Sequence, residues 1–161
     1  MTWDVSTGDP VVPPPRMVKV PRVQGDPIEV LGYAPETSIA ENGVTILERG
    51  ITSTRWSDYI DIVQLARHGL DADELRLSAE AVALYRGIIL EPASRHLKGY
   101  GTISQTKWAA WRRKQQLEQV SEELLDDQVA LVAEILDPVI IAEQGSPGDD
   151  LQTDSTERQG P

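Results

Sequence analysis

The spacing of apolar residues changes once along the chain, and this change limits the folds that the chain can adopt. Seven of the eleven prolines lie in residues 1–35, together with two short apolar or β-branched runs at residues 17–20 and 28–31. Proline donates no backbone hydrogen bond and keeps strands short, so we predict two or three short strands, some of them at a sheet edge. After Pro35 the apolar residues recur with a period of about 3.6, which indicates helices. The pattern therefore predicts an α+β fold.

Five helices are predicted after the strands. They are expected near residues 38–49, 54–66, 72–85, 104–117 and 121–137. The candidate N-caps are Ser38, Asp71 or Asp73, and Ser104. Gly43 lies inside the first helix, where glycine is about 1 kcal/mol less favourable than alanine, so this helix is expected to be weak. Pro138 is expected to end the last helix or to begin a short final turn.

Composition divides the chain into three parts. Residues 1–35 are interpreted as the remnant of a sheet, and residues 36–143 as a helical body. Residues 144–161 have almost no apolar side chains, so we expect a disordered acidic tail.

Composition also excludes several classes of protein. The absence of cysteine excludes disulfides, and two histidines disfavour a histidine-based zinc site. No apolar run reaches the roughly eighteen residues of a membrane-spanning helix, so we expect no membrane association and a cytoplasmic location. The net charge of −11 disfavours broad attraction to nucleic acid. Any contact with RNA therefore requires a local basic patch.

Asp4 is the first candidate for chemistry. It lies between the apolar residues Trp3 and Val5, as a carboxylate that projects from a half-buried strand would. Carboxylates on a rigid element are the ligands that Mg²⁺ needs for nucleotidyl transfer. The alternative is a solvent-facing aspartate near the chain terminus, and the residues alone favour that alternative.

Arg55, Asp58 and Asp61 form the second candidate. Their spacing of three residues makes Asp58 a neighbour of both other residues on a helix surface. An arginine and an aspartate at a helix N-terminus could bind a triphosphate and orient the attacking group. The alternative, favoured without further context, is an exposed ion pair worth roughly a few tenths of a kcal/mol.

Six segments, taken in order, carry a resemblance to one family. They are DVSTGDPVVPPP, PIEVLGY, AEN-VT-LERG, TRWSDYIDI, KWAAWRRK and ILDPVI. The set covers about residues 3–140 and resembles the AbiEii type of nucleotidyltransferase toxin, the toxic half of type IV toxin–antitoxin pairs. ERG-TSTRWSDYIDI and DPVI are its most specific pieces. Any one segment is a weak signal, whereas the order of all six makes coincidence improbable.

The resemblance implies a nucleotidyltransferase fold and activity. Some members of the family transfer a nucleotide from an NTP to the acceptor end of tRNA. By position Asp4 resembles the third metal-binding carboxylate of the catalytic group. Asp58 and Asp61 resemble the acidic motif of a later helix, with Arg55 at the nucleotide. The implied cofactor is Mg²⁺, and the implied partners are an NTP, tRNA and a cognate antitoxin.

The chain also departs from the family pattern. Members carry a Gly-Ser motif and two aspartates upstream of the carboxylate that Asp4 resembles, so the chain is interpreted as the C-terminal two thirds or so of such a protein. Members have a lysine that would meet the nucleotide phosphates directly after the glutamate that corresponds to Glu41, whereas this chain has the uncharged Asn42. Gly43 is interpreted as a second lesion in the same helix. We therefore expect the chain as given to be inactive.

Residues 95–114 form a local basic patch without any Asp or Glu. Its six cations are Arg95, Lys98, Lys107, Arg112, Arg113 and Lys114. One interpretation is a surface for a tRNA stem, with Lys107, Arg112 and Arg113 contacting phosphates. The other is that Trp108 and Trp111 belong to the core while the cations pair with the acidic start of the last helix.

Two further hypotheses stay open. The chain could be a non-catalytic helical module that binds an antitoxin or RNA. It could also be a partly ordered remnant, because a sheet that is cut at its first strand leaves an unpaired edge.

Overall fold

A computed structural model gives the structure of residues 8–20 and 25–144. Two antiparallel strands, β1 (Arg16–Val20) and β2 (Ile28–Gly32), precede the helices. The six α-helices are α1 (Pro35–Arg49), α2 (Trp56–Ala66), α3 (Ala72–Arg86), α4 (Ala93–His96), α5 (Tyr100–Gln115) and α6 (Leu125–Gln144). The α+β prediction is confirmed, and the predicted helices correspond to α1, α2, α3, α5 and α6. The predicted strand around Asp4 and the predicted tail after Gln144 lie outside the described residues.

The two predicted strands pair as a hairpin. Met17 lies opposite Leu31, and Val18 lies opposite Val30. Met17 is 59% exposed and Leu31 is 68% exposed, so the hairpin leaves apolar side chains in contact with water. An isolated two-stranded hairpin is marginally stable, which makes its attachment to the helices important. Arg16 supplies one attachment, since it forms an ion pair with Glu36 at the start of α1.

Two of the predicted N-caps are wrong. Helix α1 begins at Pro35 and not at Ser38, because a proline in the first turn already has the helical φ angle and has no N–H to satisfy. Helix α5 begins at Tyr100, so Ser104 lies inside it. An acceptor from another helix serves that end of α5, where the Gly101 N–H donates to the Asp126 carboxylate at 2.7 Å.

The predicted cap of α3 is confirmed. The Asp71 carboxylate accepts hydrogen bonds from the backbone N–H groups of Asp73 and Glu74 at 3.0 and 2.9 Å. These bonds satisfy two of the donors that a helix leaves unpaired at its N-terminus.

The predicted ends of the last helix are wrong. Helix α6 begins at Leu125 and continues through Pro138 to Gln144. The missing proline N–H costs one helical hydrogen bond, but burial of Leu136 and Ile140 holds the helix against the core on both sides of the proline. The 20-residue α6 is the longest helix of the described part.

The core lies where α1, α2, α3, α5 and α6 converge. Its largest completely buried side chains include Ile39, Tyr59, Ile62, Leu75, Trp108 and Leu125. The rings of Trp56, Trp108 and Trp111 lie 5.6 to 6.2 Å apart, so two of these tryptophans join the basic helix α5 to α2. The interpretation as a core residue is confirmed for Trp108, whereas Trp111 is partly buried and packs against the core.

Gly43 is a site of close packing between α1 and α6. A Cβ atom at position 43 would lie 3.1 and 3.2 Å from the two methyl carbons of Leu136. Gly43 therefore also has a packing role, because its missing side chain leaves room for Leu136 between the two helices. Its interpretation as a lesion stays a prediction. None of the helices in the described ranges is long and apolar enough to cross a bilayer.

Candidate functional site

An open cavity lies between helices α1 and α2. Its lining includes residues from two of the six segments that resemble the family, AEN-VT-LERG and TRWSDYIDI. The cavity has a volume of about 450 Å³. It is lined by Ser38, Glu41, Asn42, Asp61, Gln64, Leu65 and His68. The uncharged Asn42 of α1 therefore shares one cavity with the Asp61 carboxylate of α2.

Asp58 and Arg55 form a bidentate pair at the start of α2. The Arg55 Nε and Nη2 atoms donate to Asp58 Oδ2 at 2.9 Å and to Asp58 Oδ1 at 3.3 Å. The Asp58 side chain is 4% exposed, whereas the Arg55 side chain is 54% exposed. Asp58 also lies in the first turn, where the helix dipole favours a negative charge. The buried aspartate thus orients a guanidinium group that stays open to solvent.

Two carboxyl groups in the cavity hold protons more tightly than usual. Partial burial raises the pKa of Asp61, and the neighbouring Asp58 charge raises it further. Burial also raises the pKa of Glu41, with an additional contribution from Asp9 that Arg86 opposes. The surroundings of the cavity therefore disfavour the charged forms of both carboxyl groups.

Sequence reasoning missed an ion pair that attaches the segment before β1 to the helices. The Arg86 Nε atom donates to Asp9 Oδ1 at 2.9 Å, and Arg86 Nη1 donates to Thr45 Oγ1 at 2.9 Å. The Thr37 and Ser78 hydroxyls donate to the carbonyl oxygen of Val12. Spacing gave no signal for these contacts, because Asp9 and Arg86 are 77 residues apart in the sequence.

Sequence reasoning also missed a set of hydrogen bonds that holds the loop before Arg55. The buried Tyr100 hydroxyl accepts a hydrogen bond from Trp56 Nε1 at 2.7 Å and donates to the carbonyl oxygen of Ser53. The Ser53 hydroxyl in turn accepts a bond from the Arg55 N–H at 3.2 Å. A side chain of α5 thereby determines where α2 begins.

The cations of the basic patch differ in burial: one is buried and hydrogen-bonded, and others are exposed. Arg112 is buried and donates to Ser121 Oγ at 2.8 Å and to the Ser121 carbonyl at 2.9 Å, while its guanidinium carbon lies 5.7 Å from the Trp108 ring centre. Lys107, Arg113 and Lys114 are exposed on α5 and form no ion pair with any described residue. The exposed cations remain available to a ligand, whereas the donors of Arg112 are largely occupied.

Asp4 lies outside the described ranges. Within residues 8–20 and 25–144, no group of three or more His, Asp or Glu side chains is placed to hold a metal ion. The described side chains alone therefore do not form a Mg²⁺ site.

Comparison with protein families identifies the class of protein. The family model of the nucleotidyl transferase AbiEii toxin, type IV TA system, matches residues 2–136. The chain belongs to this family, as its sequence resemblance indicated. Separate comparisons with curated proteins and with solved structures found no match.

Proposed function

We propose that the chain provides the nucleotide-contacting and RNA-contacting helices of a toxin that transfers NMP from an NTP to tRNA with Mg²⁺ in the cytoplasm. The observation that carries the proposal is the shared cavity of Asn42 and Asp61. These residues come from the two segments that the resemblance links to the nucleotide. A cognate antitoxin is the expected protein partner of a toxin of this type.

Each predicted site residue has a proposed role. Asp61 lines the cavity, whereas Arg55 and Asp58 lie at the start of the same helix and do not line it. Arg55 binds the triphosphate, because its guanidinium group is exposed and charged at every physiological pH. Asp58 is a positioning residue that holds Arg55 through two hydrogen bonds. Asp61 orients the attacking hydroxyl group of the acceptor. Asp4 is proposed to bind the metal ion, which would supply Lewis-acid stabilisation of the transferred phosphoryl group.

We further propose that the 161 residues alone transfer no nucleotide. Asn42 contributes no positive charge where the family has lysine, and the cavity around it carries the carboxylates of Glu41 and Asp61. Two carboxylates disfavour a triphosphate unless a cation balances them. We therefore expect the chain to lack transfer activity because it binds the nucleotide weakly.

The decisive experiment separates binding from transfer. The purified chain is incubated with radiolabelled NTPs, tRNA and Mg²⁺, and we expect no labelled tRNA. Asn42→Lys should tighten NTP binding about tenfold at low salt, which corresponds to about 1.4 kcal/mol. Asn42→Gln is the matched control, because it keeps the amide and adds length without charge.

Two results would contradict these proposals. Transfer by the wild-type chain that disappears in Asp4→Ala would overturn the proposed inactivity. Equal NTP affinities of the wild type, Asn42→Lys and Asn42→Gln would show that the α1–α2 cavity does not bind the nucleotide.

RNA binding without catalysis is the second candidate function. It is favoured by Lys107, Arg113 and Lys114, which are exposed on one helix without ion pairs to described residues. Such a module would bind tRNA through phosphate contacts even if no nucleotide were transferred.

A further inference from the structure

Helices α4 and α6 leave an open groove on a face that the proposed function does not use. It consists of two adjoining depressions of about 620 and 230 Å³. Ser94, Ala130 and Ala133 line both depressions, so the two are continuous. Along α6 the lining extends from Asp126 to Ile141, which is roughly 22 Å at 1.5 Å per residue. We call this surface the α4–α6 groove.

The floor of the α4–α6 groove is apolar. The small side chains of Ala130 and Ala133 lie along its middle, and Val129 lies at one end. Pro138 and Ile141 line the other end, where Ile141 is 53% exposed. Alanine on the floor lets another backbone approach closely, and burial of the exposed Ile141 would contribute favourable free energy.

The rim of the groove carries an excess of negative charge. Asp126, Glu134 and Asp137 line it, against the single cation Lys98. Asp137 accepts a backbone hydrogen bond from Ala93 at 2.6 Å, so this carboxylate is already partly compensated. Glu134 is exposed and forms no ion pair within the described part of the chain.

The apolar floor and the acidic rim of the α4–α6 groove together favour one class of ligand. The acidic rim repels RNA and anionic lipid, because both carry negative charge at high density. The apolar floor favours a ligand that carries its own apolar stripe. A helix of about four turns fits the length of the groove, and its stripe would recur at i, i+3, i+4 and i+7.

We propose that the α4–α6 groove binds a basic amphipathic helix of a partner protein. The apolar stripe of the partner packs on Ala130, Ala133 and Ile141. Lysine or arginine residues beside the stripe pair with Glu134, because Asp126 and Asp137 already accept backbone N–H groups at the starts of α5 and α4. This surface is independent of the α1–α2 cavity, so the partner could bind whether or not a nucleotide does.

Peptide titration tests the proposal with the full chain. The probe is a synthetic peptide of about 15 residues of lysine, alanine and leucine in amphipathic helical order. Its affinity is measured by calorimetry at low and at high salt. We expect saturable binding that Glu134→Lys weakens about tenfold and that Ala133→Phe weakens at least as much by filling the groove. Circular dichroism establishes that both variants are folded.

Matched controls make the test specific. Asp26→Lys makes the same charge change in the turn of the hairpin and should leave the peptide affinity unchanged. A peptide of the same composition in a non-amphipathic order should bind at least tenfold more weakly.

Several results would overturn the proposal. One is equal binding of the two peptides, which indicates simple charge attraction. Others are unchanged affinity in Glu134→Lys and Ala133→Phe, or no binding of either peptide. Light scattering that detects a dimer of the wild type, and a monomer of Glu134→Lys, would assign the groove to a second copy of the chain instead.

Discussion

Two aspartates illustrate how position decides the effect of a charge on stability. The hydrogen bond from Arg86 holds the pKa of Asp9 below its ordinary value of 3.8, although desolvation opposes the shift. Asp9 therefore stabilises the fold above about pH 4, and this stabilisation is lost as the pH falls through its folded-state pKa. Burial and Asp58 instead raise the pKa of Asp61 above the same ordinary value. The contribution of Asp61 is favourable below about pH 4 and is lost as the pH rises through its folded-state pKa.

The opposite shifts predict opposite effects of the same substitution. Asp61→Asn should raise the melting temperature slightly near neutral pH, because it removes a charge that the fold disfavours but that solvent screens at this exposed position. Asp9→Asn should lower the melting temperature near neutral pH, because it breaks the charged pair with Arg86. Both differences should shrink as the pH approaches about 3.5. Melting by circular dichroism over a pH series measures them, and changes of the same sign in both variants would contradict the assignment.

Residue roles could be predicted only where they depend on local spacing. The contact between Arg55 and Asp58 follows from three-residue spacing on a helix, and the structure confirms it. The burial of Arg112 could not be predicted, because it depends on the chain folding back so that Ser121 meets the guanidinium group. Whether Arg55 contacts a nucleotide and Arg112 contacts RNA stays a prediction.

The packing of α1 against α6 gives a prediction at the scale of elements. Gly43→Val should destabilise the protein by about 1–3 kcal/mol, because the new side chain would overlap the methyl groups of Leu136. Asn42→Val is the matched control, since it introduces the same side chain one position earlier, at the open cavity. Urea unfolding measures both changes. If Gly43→Val is as stable as Asn42→Val, the close contact does not limit this interface.

Element types were predictable, and so was the start of α3 at its local cap Asp71, whereas the starts of α1, α5 and α6 were not. Apolar periodicity is a property of consecutive residues, so the hairpin and the five longer helices follow from the sequence. The ends depend on groups far away in the chain, as when Asp126 accepts the Gly101 N–H at the start of α5. The predicted cap at Ser104 failed because that distant acceptor satisfies the helix end three residues earlier. The α1–α2 cavity was not predicted, since spacing alone does not bring Asn42 to Asp61.

At the scale of the whole molecule, charge is strongly segregated. The chain has a net charge of −11, yet Lys107, Arg113 and Lys114 project from one helix without ion pairs in the described ranges. A polyanion such as RNA is repelled by most of this surface and attracted to α5. Salt should therefore weaken any RNA complex through the few phosphate contacts that α5 can make.

Titration with tRNA tests whether the exposed cations of α5 bind RNA. The double variant Lys107→Ala and Arg113→Ala should bind tRNA more weakly, and the slope of log affinity against log salt should fall by about 2, one unit for each lost phosphate contact. The melting temperature should stay unchanged, because both side chains are exposed. Arg112→Ala should instead lower the melting temperature, because the Ser121 carbonyl would lose its hydrogen bond.

A control variant distinguishes attraction of RNA to α5 from an effect of the net charge of the chain. The double variant Lys19→Ala and Arg67→Ala removes the same charge from exposed positions on β1 and beside α2. If RNA responds only to net charge, both double variants weaken the complex equally and reduce the salt slope equally, which would contradict an RNA surface on α5. If α5 is that surface, only the α5 variant changes the slope. Because the slope counts phosphate contacts, it distinguishes a lost contact from a general loss of affinity.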